Sequence, residues 1–284
     1  MKKLKHLILL TFFVSIANIL FSQNQNYDSV GPENGTLIAV GGGYVPDTII
    51  NKFIELAGGP DAPLVLIPTA SEDPDTSGIK KIWREKGVKH ISVLHTIDTK
   101  TANSNDFTAP LREAKAVWFD GGRQWRLVDS YKETKTEKLL WDVLERGGVI
   151  GGSSAGATIQ GSYLARGDTK NNQIMMGDHE EGFGFLSNVA IDQHVLARNR
   201  HFDMFDILKN RPGLLGISID ENTAIIVHND TLEVLGKSYV IIYDGTFWSR
   251  EGSELKTLPD KHRLFYFLRE GDKYDLIGRK IIEN

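Results

Sequence analysis

With 284 residues, 40% of them hydrophobic and 25% charged, the chain is long enough to bury a sizeable α/β core, and no low-complexity linker calls for a second domain. Its formal net charge of −4 argues against general nucleic-acid binding. The absence of cysteine excludes disulfide staples, a lipid-anchored cysteine and a thiol nucleophile, so covalent catalysis would have to use a hydroxyl or another group.

Met1-Lys2-Lys3-Leu4-Lys5-His6 is basic, residues 7–21 are mostly apolar, and Ser22-Gln23-Asn24-Gln25 is a polar exit. This pattern predicts a secretory signal peptide over 1–23, hence an exported product, periplasmic or extracellular, without a membrane anchor after cleavage. The apolar run is interrupted by Asn18 and falls short of the roughly 20 residues a bilayer crossing takes. An uncleaved anchor is the alternative. Removing 1–23 takes away three lysines and no acid, leaving 30 basic against 37 acidic residues, a formal charge of −7. Residues 24–34 read as a short polar leader, and 35–284 as a single domain.

A buried strand over 36–40 ends in Gly41-Gly42-Gly43, which can bring backbone close to the active face of a sheet. The glycines have no G-x-G-x-x-G continuation, so a dinucleotide site is not expected. A helix over 49–57, a strand over 64–70, a helix over 79–86 and a strand over 90–94 follow. Part of 103–113 is helical, and the strand 116–119 stops at Asp120-Gly121-Gly122. Helices over 125–131 and 136–146 lead to the strand end Val149-Ile150. Strand, turn and helix repeat with short connections, which predicts parallel βαβ units in a doubly wound, mostly parallel sheet. Such sheets hold ligands at the carboxyl ends of their strands, where Gly41–Gly43, 69–71, 121–124 and 153–156 all fall. From residue 213 short strand-like runs over 214–219, 224–227, 231–235, 239–243 and 265–268 predict an antiparallel addition to the same sheet.

The stretch that organises the chain is Gly151-Gly152-Ser153-Ser154-Ala155-Gly156-Ala157. Gly152-Ser153-Ser154-Ala155-Gly156 fits G-x-S-x-G, in which a tight strand-to-helix turn lifts a serine oxygen out of the sheet. Large side chains two positions away would strike a neighbouring strand or helix. Ser154 is therefore the candidate nucleophile. A plain Gly/Ser loop or a phosphate cradle is the alternative, although a phosphate loop also needs a lysine, and none lies in the stretch.

A serine hydroxyl needs a base, usually a histidine held by a carboxylate. His194 has the richest setting, in Ile191-Asp192-Gln193-His194 with Arg198, Arg200 and His201 beyond it. Asp192, two positions before His194, is the other candidate acid. Glu221, just after an apolar strand, is the better-placed acid. The amide of Ala155 and the glycine turn Gly121-Gly122 can supply donors to an oxyanion, with Arg123 and Gln124 at the same rim.

These four blocks, in this order, resemble the signatures of cyanophycinase and its relatives in the peptidase E family of serine exopeptidases: Gly151–Ala157, Phe119-Asp120-Gly121-Gly122-Arg123-Gln124, Asp192-Gln193-His194 with Arg198 and Arg200, and Asp220-Glu221-Asn222-Thr223-Ala224. The resemblance spans about 35–235 and implies a class I glutamine amidotransferase-like, flavodoxin-like fold with serine in place of the cysteine nucleophile. It implies Ser154 as nucleophile, His194 as base, Glu221 as acid, and Gly122 and Ala155 as oxyanion donors. Gln124, Asp192, Gln193, Arg198 and Arg200 would line the pocket of a peptide substrate, and the assembly would be a homodimer. Cyanophycin is an aspartate backbone with arginine on each side-chain carboxyl, and the family enzyme releases β-aspartyl-arginine. Two departures put that polymer in doubt as the substrate here. Arg123 stands where relatives have an acid, and His201-Phe202-Asp203 where they have a further base.

Two other readings stay open. An α/β-hydrolase esterase would use the order serine, acid, histidine, with His228 or His262 as base. A binding protein could keep the pocket without turnover. His179-Glu180-Glu181 lacks the second histidine a zinc helix needs, so no metal or other cofactor is expected.

Overall fold

The computed structural model describes residues 29–252, 257 and 260–283. The predicted signal peptide over 1–23 and the first part of the leader lie outside these residues. Val30 is already buried against the core, and its amide and that of Gly31 donate to Asp230 at 2.6 and 3.0 Å. The domain therefore begins before the expected boundary at 35.

The first half alternates strand and helix: β1 (Thr36–Val40), α1 (Asp47–Leu56), β2 (Leu64–Ile67), α2 (Thr76–Glu85), β3 (Ile91–Val93), α3 (Thr99–Ala102), α4 (Asn105–Glu113), β4 (Ala116–Phe119), α5 (Gln124–Tyr131), α6 (Lys135–Glu145), β5 (Val149–Ser153) and the short α7 (Ala155–Thr158). The second half comprises β6 (Gly161–Tyr163), β7 (Leu186–Gln193), α8 (Met204–Asn210), β8 (Leu215–Ile219), β9 (Thr223–His228), β10 (Thr231–Gly236), β11 (Val240–Tyr243), β12 (Tyr266–Leu268), β13 (Lys273–Asp275) and β14 (Lys280–Ile282).

The main sheet has the order β14-β13-β10-β9-β1-β5-β4-β2-β3. Its β1, β5, β4, β2 and β3 are parallel, and β9, β10, β13 and β14 extend it antiparallel. The parallel strands are covered on both faces, so they read as continuous apolar runs. On one face Ile38, Leu66 and Trp118 pack with Phe53 of α1 and Trp83 of α2, whose rings meet Trp118 and each other at 5.1–5.5 Å. On the other, Leu37, Val65, Phe119 and Ile150 pack against Leu111, Leu127 and Leu140 of the helices.

The antiparallel addition expected on one sheet is divided between two. A second sheet, β12-β11-β8-β7-β6, lies against the same core, with β6, β7 and β8 parallel. The run 214–219 therefore pairs with β7 and not with β1. Its period cannot report this, because a strand buried on both faces carries no mark of its partner. Among the described residues no helix is long and apolar enough to cross a membrane.

Candidate active site

The carboxyl ends of β1, β4, β5 and β7 meet at Ser154. Its backbone has φ 56° and ψ −111°, a conformation that costs a non-glycine residue about 1–3 kcal/mol and persists only when its surroundings impose it. They do so through the Ser154 amide, which donates to Val40 at 2.9 Å, and the Ser154 carbonyl, which receives Ala157 at 3.0 Å. The small residues of the turn are required by space. A β-carbon on Gly152 would lie 2.6 Å from the Gly156 carbonyl carbon, and one on Gly156 would lie 2.7 Å from Phe119 Cβ.

Three successive carbonyls of the β1 exit anchor the site. Val40 takes the amide of Ser154, Gly41 that of His194 at 2.8 Å, and Gly42 that of Asn222 at 3.2 Å. One short segment thus sets the elbow, the histidine and the residue after Glu221 relative to each other. The glycines also leave room: a β-carbon on Gly42 would sit 2.5 Å from His194 Nε2, and one on Gly43 would sit 2.7 Å from Glu221 Oε2. Sequence reading marked this triple glycine as a close approach without finding its partners, which lie some 150 and 180 residues further along the chain.

Ser154 Oγ lies 2.9 Å from His194 Nε2, and His194 Nδ1 lies 2.6 Å from Glu221 Oε1. A carboxylate only accepts, so Nδ1 carries the ring proton and Nε2 is left to accept from the serine hydroxyl. His194 is 5% exposed. Burial holds its pKa below the ordinary value; the Glu221 hydrogen bond pulls it up and the Arg198 charge pushes it down. The imidazole is therefore neutral at pH 7, the form a general base needs.

Gly121 flanks the elbow: a β-carbon there would lie 3.5 Å from Ser154 Cβ. The next residue, Gly122, has φ 145° and packs on the β2 exit, where its β-carbon would meet the Ser71 nitrogen at 2.8 Å. Arg123 continues this contact, donating its amide to Ala70 at 2.8 Å. Ala155 opens α7 directly after Ser154.

Two residues placed by resemblance in the pocket wall turn inward instead. Gln124 is buried, its amide donating to the carbonyls of Ala165 and Arg166 at 2.6 and 3.0 Å. Asp192 is also buried, its two oxygens taking Nε and Nη2 of Arg166 at 2.7 and 2.9 Å. Both serve the loop beneath the site, because a buried carboxylate without a cation would cost too much to keep. Arg166 had no signal in the sequence; it also binds Asp203 at 2.6 Å. Gln193 and Arg200 are buried against each other, Arg200 Nη1 donating to Gln193 Oε1 at 2.9 Å. Only Arg198 of that group is exposed.

His228, the base an esterase order would use, lies at the far end of β9, bonded to Thr36 and the Gly35 carbonyl. That is the end of the strands away from Ser154, where His228 pairs with Thr36 at the start of β1. The side chain of His262 lies outside the described structure. His179 is held by Asp129 and Asp178 at 2.8 and 3.1 Å, and among the described residues no three His, Asp or Glu side chains are grouped to hold a metal ion.

The sequence matches the family described as peptidase family S51 over residues 37–235. Cyanophycinase of Geminocystis herdmanii (strain PCC 6308) is 32% identical over 239 residues, covering 80% of this chain and 87% of the relative. Cyanophycinase of Synechococcus elongatus is 33% identical over 219 residues, 74% and 68% of the two chains. A crystal structure of a peptidase from an acI-B1 Actinobacterium superposes with a TM-score of 0.61 at 24% identity, covering 87% of this chain and 98% of that one. At that identity the likeness is one of fold.

Proposed function

The chain belongs to peptidase family S51, and on that premise we propose that it is an exported exopeptidase that hydrolyses Asp-containing or β-aspartyl peptides through Ser154, His194 and Glu221. Membership makes it a serine-type peptidase with the class I glutamine amidotransferase-like fold. The observation that carries the residue roles is the unbroken relay from Ser154 Oγ through the His194 ring to Glu221.

In this reading Ser154 Oγ attacks the scissile carbonyl while its proton passes to His194 Nε2. Glu221 holds the imidazole in the accepting tautomer and stabilises the imidazolium. The amides of Ala155 and Gly122 receive the oxyanion. Collapse returns the proton to the leaving amine, and water then releases the acyl group from Ser154 by the same route in reverse. Arg198, the exposed member of its group, binds a carboxylate of the substrate, and the buried Arg200–Gln193 pair supports the wall behind it.

The relatives' name makes cyanophycin one member of the substrate class. Two features favour a different aspartyl peptide: Arg123 stands where relatives commonly have an acid, and His201-Phe202-Asp203 stands where they have a further base, with Asp203 engaged by Arg166. The test offers purified protein cyanophycin and a panel of α- and β-aspartyl peptides and identifies products by mass. Release of any aspartyl product, lost in Ser154→Ala, supports the reading; no cleavage of the whole panel rejects it. Export and a homodimer are part of the same proposal. Amino-terminal sequencing of the mature protein and its mass in solution test them.

A further inference from the structure

The Gly121-Gly122 turn leads from Ser154 to a cavity that catalysis itself does not use. A β-carbon on Gly121 would lie 3.9 Å from Ser154 Oγ, and one on Gly122 would lie 2.8 Å from the Ser71 nitrogen. Both glycines are exposed, so the turn between the serine and the β2 exit is open to solvent and carries no side chain. Beyond it lies a cavity of about 330 Å³. Ser71, Glu72 and Ile97 line it from the exits of β2 and β3, and Trp125, Arg126 and Asp129 line it from the first two turns of α5. Each residue of an extended chain covers about 3.3–3.6 Å, so a side chain next to a scissile bond held at Ser154 reaches across two residues of turn.

The walls say what the cavity suits. Ile97 is 76% exposed, so its apolar surface leaves water only when something covers it. The charges of the rim are matched to each other: Arg126 Nη2 lies 2.6 Å from Glu72 Oε2, and His179 Nε2 lies 2.8 Å from Asp129 Oδ1. The Arg126 guanidinium also lies over the Trp125 ring, 5.1 Å from its centre. A charged ligand group would have to displace one of these partners, and an arginyl group would bring a second guanidinium to Arg126. An uncharged apolar group meets Ile97 and Trp125 without breaking either pair.

We propose that this cavity holds the side chain of the residue released from the scissile bond and selects peptides in which that side chain is apolar. The proposal rests on the reading of Ser154 as the nucleophile of an aspartyl peptidase. In that reading the acyl residue is always aspartyl, so the leaving residue is the one whose side chain varies. A leucyl or phenylalanyl group gains burial there, whereas a glycyl residue leaves the cavity empty.

The test compares kcat/KM for aspartyl-leucine, aspartyl-glycine and aspartyl-arginine in the linkage, α or β, that the protein cleaves. The leucyl peptide is expected to exceed the glycyl one by roughly 10- to 100-fold, the scale of burying one leucine side chain, and to exceed the arginyl one as well. Ile97→Ser, at a position too exposed for the fold to depend on it, should lower the leucyl-to-glycyl ratio, and Trp125→Ala should bring it close to one. The ratio is read within each variant, so a loss of folded protein does not move it. Equal rates for the leucyl and glycyl peptides, a faster arginyl peptide, or a leucyl preference unchanged in both variants overturns the proposal and leaves the peptidase standing. If no peptide is hydrolysed, affinities for Ser154→Ala protein are read by titration calorimetry. Tighter binding of the leucyl peptide then keeps the subsite and rejects the peptidase, and equal or absent binding overturns both.

Discussion

Gly42 and His194 share one volume: the imidazole occupies the space a side chain at position 42 would fill, with Nε2 2.5 Å from where a β-carbon would stand. The hydrogen bonds that hold the ring at the elbow can form only because this volume is left empty. Gly42→Ala should therefore displace the base and lower kcat/KM by about 100-fold or more, the cost of a misplacement near 1 Å. Gly58 makes the control, since its φ of 99° resembles the 107° of Gly42 but nothing lies within 4 Å of its β-carbon position. Gly58→Ala carries the same backbone strain and should keep full activity. Steady-state kinetics of the two variants separate collision from strain.

The depressed His194 pKa sets the acid limb of reactivity. Burial is the main cause, with Glu221 opposing it and Arg198 adding to it. The rate of Ser154 modification by a fluorophosphonate should fall on acidification with a midpoint below 6.5, the ordinary histidine value. Arg198→Gln removes a depressing charge and should move the midpoint to higher pH. The linkage has a matching sign: the unfolded chain takes up this proton first, so His194 costs stability as pH falls through 6.5 toward its lower native pKa.

Glu221→Gln keeps the shape of the acid and removes its charge. The amide can offer Nδ1 a donor, which favours the wrong tautomer and leaves the imidazolium unsupported. A fall in kcat of about 10³- to 10⁴-fold, with KM little changed, is expected from steady-state rates. Its labelling midpoint should move to lower pH than that of the unaltered protein, because the partner that raises the His194 pKa is gone.

Arg166 is 1% exposed and neutralises Asp192 in full burial and Asp203 at the rim. Arg166→Met should destabilise the fold by about 3–5 kcal/mol in denaturant unfolding, because it strands a buried charge. Asp203→Asn should cost much less, since its side chain is 38% exposed.

The elbow was legible because its requirements are local: Gly152, Ser154 and Gly156 stand within one turn, and each small residue answers a contact nearby. The alternating strands and helices of the first half were legible for the same reason. What escaped was pairing at a distance. Glycine at 42 reports only that something comes close, and the ring that does so is 152 positions away. Arg166 carries no pattern at all, yet it takes the carboxylate of Asp192 that resemblance assigned to substrate. The second sheet was missed because β6 has three residues, too few to show a period, and because β8 is buried on both faces, so nothing in it marks its partner.

Everything said of catalysis depends on one proton passing from Ser154 to His194. The most direct measurement is the site and extent of fluorophosphonate labelling, read by peptide mass, in the unaltered protein and in His194→Ala. Modification of Ser154 alone, lost when the imidazole is removed, is the expected result. Labelling of another residue, or labelling of Ser154 that proceeds equally fast without His194, would contradict it.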